Sequence, residues 1–185
     1  MKNNLLGLFA LVFGSAICFS FIPTEMASPD SSSKIEWITI SEAEELARKE
    51  PRKIIVDLYT DWCGWCKRMD KDTFSKPEIA DYVGKHFYAV KLDGEHKETI
   101  TVGGREYGFI KSGRRGYHEI AAVLAGGRLS YPTIVILDHK LNKLVVAPGY
   151  QGPKDMDVIL HYFAEDHHKT ADYETYKAGF RSVFD

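Results

Sequence analysis

Residues Lys53–Tyr59 set Ile54, Ile55 and Val56 in succession, and a continuous apolar run of this kind reads as a strand buried on both faces. Such a strand belongs inside a sheet that is covered above and below. The chain then turns sharply polar and aromatic at Thr60-Asp61-Trp62, and Trp62–Phe74 reads as a helix that opens at Cys63-Gly64-Trp65-Cys66. Upstream, Ser41 with Glu44 makes a capping box for a short helix carrying Ala43, Leu46 and Ala47, which ends at Glu50 before Pro51. Downstream, the pattern predicts a helix from Pro77 through Val83, a buried strand over Phe87–Leu92 and a hairpin within Ile100–Ile110 around Gly103-Gly104. A helix over Tyr117–Leu124, strands at Thr133–Leu137 and Leu144–Ala147, and a helix at Met156–Phe163 complete the series. Strands alternating with helices early and an antiparallel pair late define an α/β chain with a mixed central β-sheet flanked by helices.

The 185 residues, 44% hydrophobic and 27% charged, suit one ordinary domain plus a short extra. Twenty-four Lys and Arg against 26 Asp and Glu leave a formal charge of -2, so no global basic field exists to hold nucleic acid. The uncharged stretch Leu5–Ile22, behind Lys2, reads as the apolar core of an export signal, with residues 1–22 either removed as a leader or kept as an N-terminal anchor. The single flanking Lys on the N-terminal side puts the rest of the chain outside the cytoplasm. Ile17 stands where a lipoprotein signal carries Gly or Ala, which weighs against lipidation of Cys18. Residues 23–34, rich in Ser, Pro and Asp, form a linker; residues 35–167 are the domain and 168–185 a C-terminal amphipathic helix.

Once Cys18 is removed with a leader, only Cys63 and Cys66 remain. Two cysteines three apart at the start of a helix share a face, with Cβ atoms about 5 to 6 Å apart, near enough for a disulfide to close and open. Cys63, at the helix N-terminus, meets free amide groups and the positive end of the helix dipole, which favour its thiolate and make it the nucleophile. Cys66, a turn deeper, resolves the mixed disulfide. A zinc site would need two further ligands, and the seven His offer no pair at metal-ligand spacing. A purely structural disulfide is a weak reading, because so short a loop constrains the unfolded chain little.

The run Ile54-Ile55-Val56-Asp57-Leu58-Tyr59-Thr60-Asp61-Trp62-Cys63-Gly64-Trp65-Cys66-Lys67, together with Tyr131-Pro132-Thr133, resembles the thioredoxin superfamily, in particular exported bacterial thioredoxin-like proteins. The resemblance implies a thioredoxin fold with an inserted hairpin and helix (about 94–130) before a cis-proline, and an extra C-terminal helix. It implies that Asp57 is a buried carboxylate accepting the proton of Cys66, that Lys91 approaches it, and that Lys67 supports the motif. It further implies that Pro132 is cis and sets the backbone of Tyr131 against the Cys pair, with Trp62, Gly64 and Trp65 on the substrate rim. The activity implied is dithiol/disulfide exchange with protein disulfides, in the reducing direction, with oxidase, isomerase or non-enzymatic binding as alternatives. No metal or organic cofactor is called for, because the Cys63–Cys66 dithiol itself carries two electrons. The partners implied are protein disulfide or dithiol substrates and a membrane-borne electron donor or acceptor, in a periplasmic or equivalent space. Trp65 stands where thioredoxin has Pro and Tyr131 where a smaller residue is usual.

Two features lie outside that pattern. Arg105, Lys111, Arg114 and Arg115 cluster in the insertion and read as a solvated basic loop rather than the alternative, a partner-docking patch. Tyr173, Tyr176, Phe180 and Phe184 recur at helical spacing and are expected to pack as a stripe on the chain's own domain, with contact to a dimer mate or partner as the alternative.

Overall fold

A computed structural model describes residues 34–185, so the export segment and most of the linker lie outside the described residues. Five strands form the central sheet: β1 (Trp37–Ile38), β2 (Lys53–Tyr59), β3 (Phe87–Asp93), β8 (Thr133–Leu137) and β9 (Lys143–Pro148), in the order β1-β3-β2-β8-β9. β2 pairs parallel with β3 and antiparallel with β8, so the sheet is mixed, as the element order implies. Its central position follows from its side chains, since Ile54, Ile55, Val56 and Leu58 are all fully buried.

The two-residue alternation of a strand divides those side chains between two cores. Ile54, Val56 and Leu58 meet α1 (Ile40–Lys49) and α4 (Glu119–Leu124), through Ile40, Ala43, Ala47, Ile120 and Ala121. Ile55 faces the other way, among Met69 of α2 (Gly64–Met69), Ile79 and Val83 of α3 (Pro77–His86), and Met156 and Leu160 of α5 (Pro153–Ala164). Asp57, two residues on from Ile55, shares its face and is carried into this second, hydrocarbon-filled layer beneath α2.

Several boundaries differ from those expected, each for a local reason. α1 starts two residues early: Thr39 is its cap, accepting the amide of Glu42 at 3.2 Å while the Glu42 carboxylate accepts the amide of Thr39 at 2.8 Å. Ser41 instead donates to the Thr101 carbonyl (2.8 Å), and Glu44 accepts the Gly103 amide (3.0 Å), tying the insertion to α1. The helix after the Cys pair changes hand-hold at Asp70, where α2 gives way to a π-helical turn, Asp70–Phe74. The insertion holds two hairpins rather than one: β4 (Ile100–Val102) with β5 (Arg105–Tyr107), and β6 (Phe109–Ser112) with β7 (Arg115–His118). Tyr117, expected in a helix, is therefore in a strand.

The C-terminal segment is not one helix over 168–185. A 3₁₀ turn at His167–Lys169 precedes α6 (Tyr173–Gly179), after which the backbone is extended at Phe180 and closes in a turn where the Asp185 amide donates to the Ser182 carbonyl. Tyr173 and Tyr176 pack on Tyr162 of α5, with ring centroids 5.3 and 5.1 Å apart. The tail is held by buried Asp157, whose Oδ2 accepts from the Ser182 hydroxyl (2.7 Å) and the Val183 amide (3.2 Å).

The shifted cap is open to test. Thr39→Ala is expected to lower stability by about 1 kcal/mol in urea unfolding, while Ser41→Ala acts on the tie to Thr101 and leaves the helix start capped.

Candidate active site

β2 ends at Tyr59, and the Cys63 amide donates to the Thr60 carbonyl at 3.0 Å, turning the chain so that Cys63 caps α2. Its Sγ accepts the Cys66 amide at 3.0 Å. Cys63 and Cys66 are joined in a disulfide with Cα atoms 5.3 Å apart, and both are buried. Gly64 and Lys67 are exposed beside them; a Cβ at Gly64 would meet nothing within 4 Å, and the Lys67 amide donates to the Cys63 carbonyl at 3.3 Å. Among the described residues no set of three or more His, Cys, Asp or Glu is grouped as metal ligands.

The rim is aromatic. Trp62 and Trp65 remain 54% and 57% exposed, large fractions for indoles that each have a ring partner. The Tyr131 ring meets Trp62 edge-on at 6.0 Å, and the Tyr150 ring lies 5.6 Å from Trp65. The Tyr131–Pro132 peptide is cis, Pro132 is buried, and its carbonyl accepts the Gly149 amide at 2.8 Å, which brings the loop after β9 alongside. Burial, with Glu95 and Asp93 nearby, pushes the Tyr131 hydroxyl up to about 12, so it stays neutral at physiological pH.

Asp57 lies beneath, with no exposed surface. Lys91, its direct partner across the β2–β3 register, brings Nζ to 3.0 Å from Oδ2, yet neither carboxylate oxygen accepts a hydrogen bond of ordinary geometry. The same ammonium contacts Asp70 more closely and stands over the rings of Trp37 (4.9 Å) and Tyr59 (5.3 Å). Desolvation is the larger influence on Asp57, and Lys91, shared with Asp70, offsets only part of it, so its pKa rises from 3.8 to about 6. Burial works against the Lys91 charge too, but Asp57 and Asp70 outweigh it and its pKa moves upward.

Every site residue expected from the sequence thus falls in one region, around the C-terminal end of β2 and the opening of α2. Four further residues converge there unannounced. Asp70 lies within Lys67-Arg68-Met69-Asp70-Lys71-Asp72, where charge at nearly every position hides the one that meets Lys91. Tyr150 follows Pro148-Gly149, a turn signal that marks a loop without saying where it lands. Glu95 accepts from the Trp62 Nε1–H at 3.1 Å, and the Arg115 guanidinium stands 4.9 Å over the Trp62 ring. The basic loop is therefore not merely solvated, since Arg115 reaches the rim and Arg105 pairs with Glu119 at 2.5 Å. A separate cavity of about 540 Å³ lies by the start of β2, lined by Lys53, His86, Asp138 and Asp166, and contains no thiol.

Fold and site together define a thioredoxin-fold protein with a disulfide-forming Cys pair at a helix start and a buried carboxylate in the adjoining strand. The chain belongs to the family described as Thioredoxin-like domain, which it matches over residues 40–164. It is 30% identical over 101 residues to the thiol:disulfide interchange protein DsbD of Vibrio vulnificus (strain CMCP6), covering 50% of this chain and 17% of that one. It is 24% identical over 74 residues to the disulfide bond reductase DsbH of Chlamydia pneumoniae, covering 40% of this chain and 45% of that one. The matches thus span less than half the length of either relative. In structure it resembles a thioredoxin from Thermus thermophilus (TM-score 0.52, 18% identity, 75% of this chain and 99% of that one). It also resembles a thioredoxin-fold protein from Helicobacter pylori (TM-score 0.50, 19% identity, 69% and 83%).

The sign of the Asp57 contribution to stability follows from its raised pKa. The folded chain keeps this proton up to about pH 6, whereas the unfolded chain releases it near the ordinary aspartate value of 3.8. Stability is therefore lost as pH rises through that window, and the full loss persists above it. Asp57→Asn is expected to be the more stable protein at pH 8, by up to about 3 kcal/mol, with the difference vanishing below pH 4 in denaturant titrations.

Proposed function

We propose that this chain is an exported thiol–disulfide oxidoreductase that reduces protein disulfides. The observation that carries the reading is the Cys63–Cys66 disulfide at the start of α2, beneath an aromatic rim, with the fully buried Asp57 joined through Lys91 to Asp70 at the end of the same helix. The thiolate of reduced Cys63 attacks one sulfur of a substrate disulfide, forming a mixed disulfide and releasing the other substrate sulfur as a thiolate that takes up a proton. Cys66 then gives its proton to Asp57, whose pKa of about 6 suits it to accept near neutral pH. The Cys66 thiolate attacks the Cys63 sulfur, the second substrate sulfur leaves, and the Cys63–Cys66 disulfide remains. Two electrons pass to the substrate, and no metal or organic group takes part.

Trp62, Trp65 and Tyr131 receive the substrate on apolar surface, and the backbone of Tyr131 before the cis-proline is where an extended substrate chain adds as a strand. Lys91 holds charge beside Asp57, and Lys67 stands exposed next to Cys66. The reducing direction is supported by Asp57, by the Trp62-Cys63-Gly64 start of the motif, and by a relative named as a disulfide bond reductase. Export is supported by the uncharged run Leu5–Ile22, whether residues 1–22 are a cleaved leader or an anchor, with residues 23–34 as the linker and 35–167 as the working domain. In an oxidising space the pair needs recharging by a membrane-borne dithiol donor. No helix among the described residues is long and apolar enough to cross a membrane.

Insulin reduction coupled to dithiothreitol tests the reading. Cys63→Ser is expected to abolish turnover and Cys66→Ser to accumulate a mixed disulfide; full activity in Cys63→Ser would overturn the mechanism. An equilibrium potential of the pair near about -270 mV agrees with a reductase, while one near about -120 mV would assign an oxidase.

A further inference from the structure

We propose that the β6–β7 hairpin is a docking arm that reads acidic side chains flanking the cysteine of a substrate polypeptide, an inference that rests on the oxidoreductase reading above. The register pairs Ile110 with Tyr117 and Ser112 with Arg115, so Ile110, Ser112, Arg115 and Tyr117 share one face of the hairpin, and Phe109, Lys111, Gly116 and His118 the other. The second face is closed near its base. His118 is fully buried with its Nε2 3.0 Å from the Glu98 carbonyl. The Phe109 ring fills the space a side chain at residue 116 would need, 2.3 Å from a Cβ built on Gly116, and the Lys97 ammonium stands 3.4 Å from that ring.

The first face is open. Ile110 is 41% exposed, and Arg115 is exposed while its guanidinium covers the indole of Trp62, the residue next to Cys63. The ring fixes where that charge sits, so less freedom is lost when it meets an anion. Phe109–His118 contains Lys111, Arg114 and Arg115 and no acid. Among the described residues these three enter no ion pair, in contrast to Arg105. Glu95, an acid at the rim, already accepts from Trp62 Nε1. The arm therefore brings Arg115, with Arg114 next to it at the hairpin tip, to the side of Trp62 that its guanidinium covers, as cations without an acidic side-chain partner, while Glu95 and the exposed Asp61 carry the negative charge of the rim. A substrate strand lying along Tyr131–Pro132 toward Cys63 passes this charge, which attracts Asp or Glu near its cysteine and repels Lys or Arg.

The test uses two peptide disulfides of equal length, one with Glu and one with Lys on either side of the cysteine, given to the reduced full chain at low salt. The kcat/KM is expected to favour the Glu peptide by roughly fivefold, and the preference to shrink at about 0.5 M NaCl. Arg114→Ser with Arg115→Ser brings the ratio near one, and Arg115→Lys alone, which keeps the charge, preserves most of it. Equal rates in the native chain, or a ratio unaltered in the double variant, overturn the proposal. If the native chain reduces neither peptide nor a small uncharged disulfide, the oxidoreductase reading fails instead. The arm is then judged by fluorescence anisotropy on the same peptides with Ser for Cys, where tighter binding of the Glu peptide supports it and equal binding overturns it.

Discussion

A carboxylate in the middle of a strand otherwise made of buried hydrocarbon is the constraint around which this structure is arranged. Asp57 occupies a position that strand alternation sends into the layer of Ile55, Met69 and Met156, where an ionised group loses far more solvation than one ammonium restores. Lys91 comes from the adjacent strand in exact opposition, is wrapped by Trp37, Tyr59 and Phe74, and is shared with Asp70 at the point where the helix switches to π geometry. Asp70 acts on Asp57 in two ways. It draws part of the ammonium toward itself, and its own negative charge favours the protonated neighbour. The outcome is a carboxyl whose pKa is raised to about 6, held by a strand that cannot move without opening both cores.

Much of this was legible in the residues. β2, β3 and β8 announce themselves because buried strands need long apolar runs, and the Cys pair announces itself because few other arrangements explain Trp-Cys-Gly-Trp-Cys directly after such a strand. The failures share a physical cause, which is competition between equally good local patterns. Thr39 with Glu42 and Ser41 with Glu44 both satisfy the capping rule; the first prevails because Ser41 and Glu44 are drawn to Thr101 and Gly103 of a segment 60 residues away. Tyr117 sits at the joint between strand and helix, where the periodicity of Ile120, Ala121 and Leu124 extends plausibly backward. β1, two residues long, exists only because β3 offers it an edge. The aromatic spacing at the C-terminus continues past the end of α6, because a buried carboxylate on α5, rather than helical packing, fixes the tail.

The insertion shows the same dependence on distant contacts. Nothing in its own polar sequence says that Arg115 will lie over Trp62 or that Glu95 will hold the indole nitrogen, since both results depend on where β3 ends and how α1 grips β4. What looks like a loop added to a finished domain is a wall built against the reactive pair.

Gly94 shows how tightly that wall is joined to the rest. Its amide donates to the Tyr59 carbonyl at 2.8 Å, its carbonyl accepts the His118 amide at 2.7 Å, and a Cβ there would sit 2.0 Å from the Tyr131 hydroxyl. One residue without a side chain thus links the end of β2, the base of the basic hairpin and the loop before Pro132. The bulky Tyr131 and the bare Gly94 are complementary halves of a single fit. A side chain at residue 94 would therefore push the Tyr131 ring out of its place, so a change made in the insertion is felt in the proline loop.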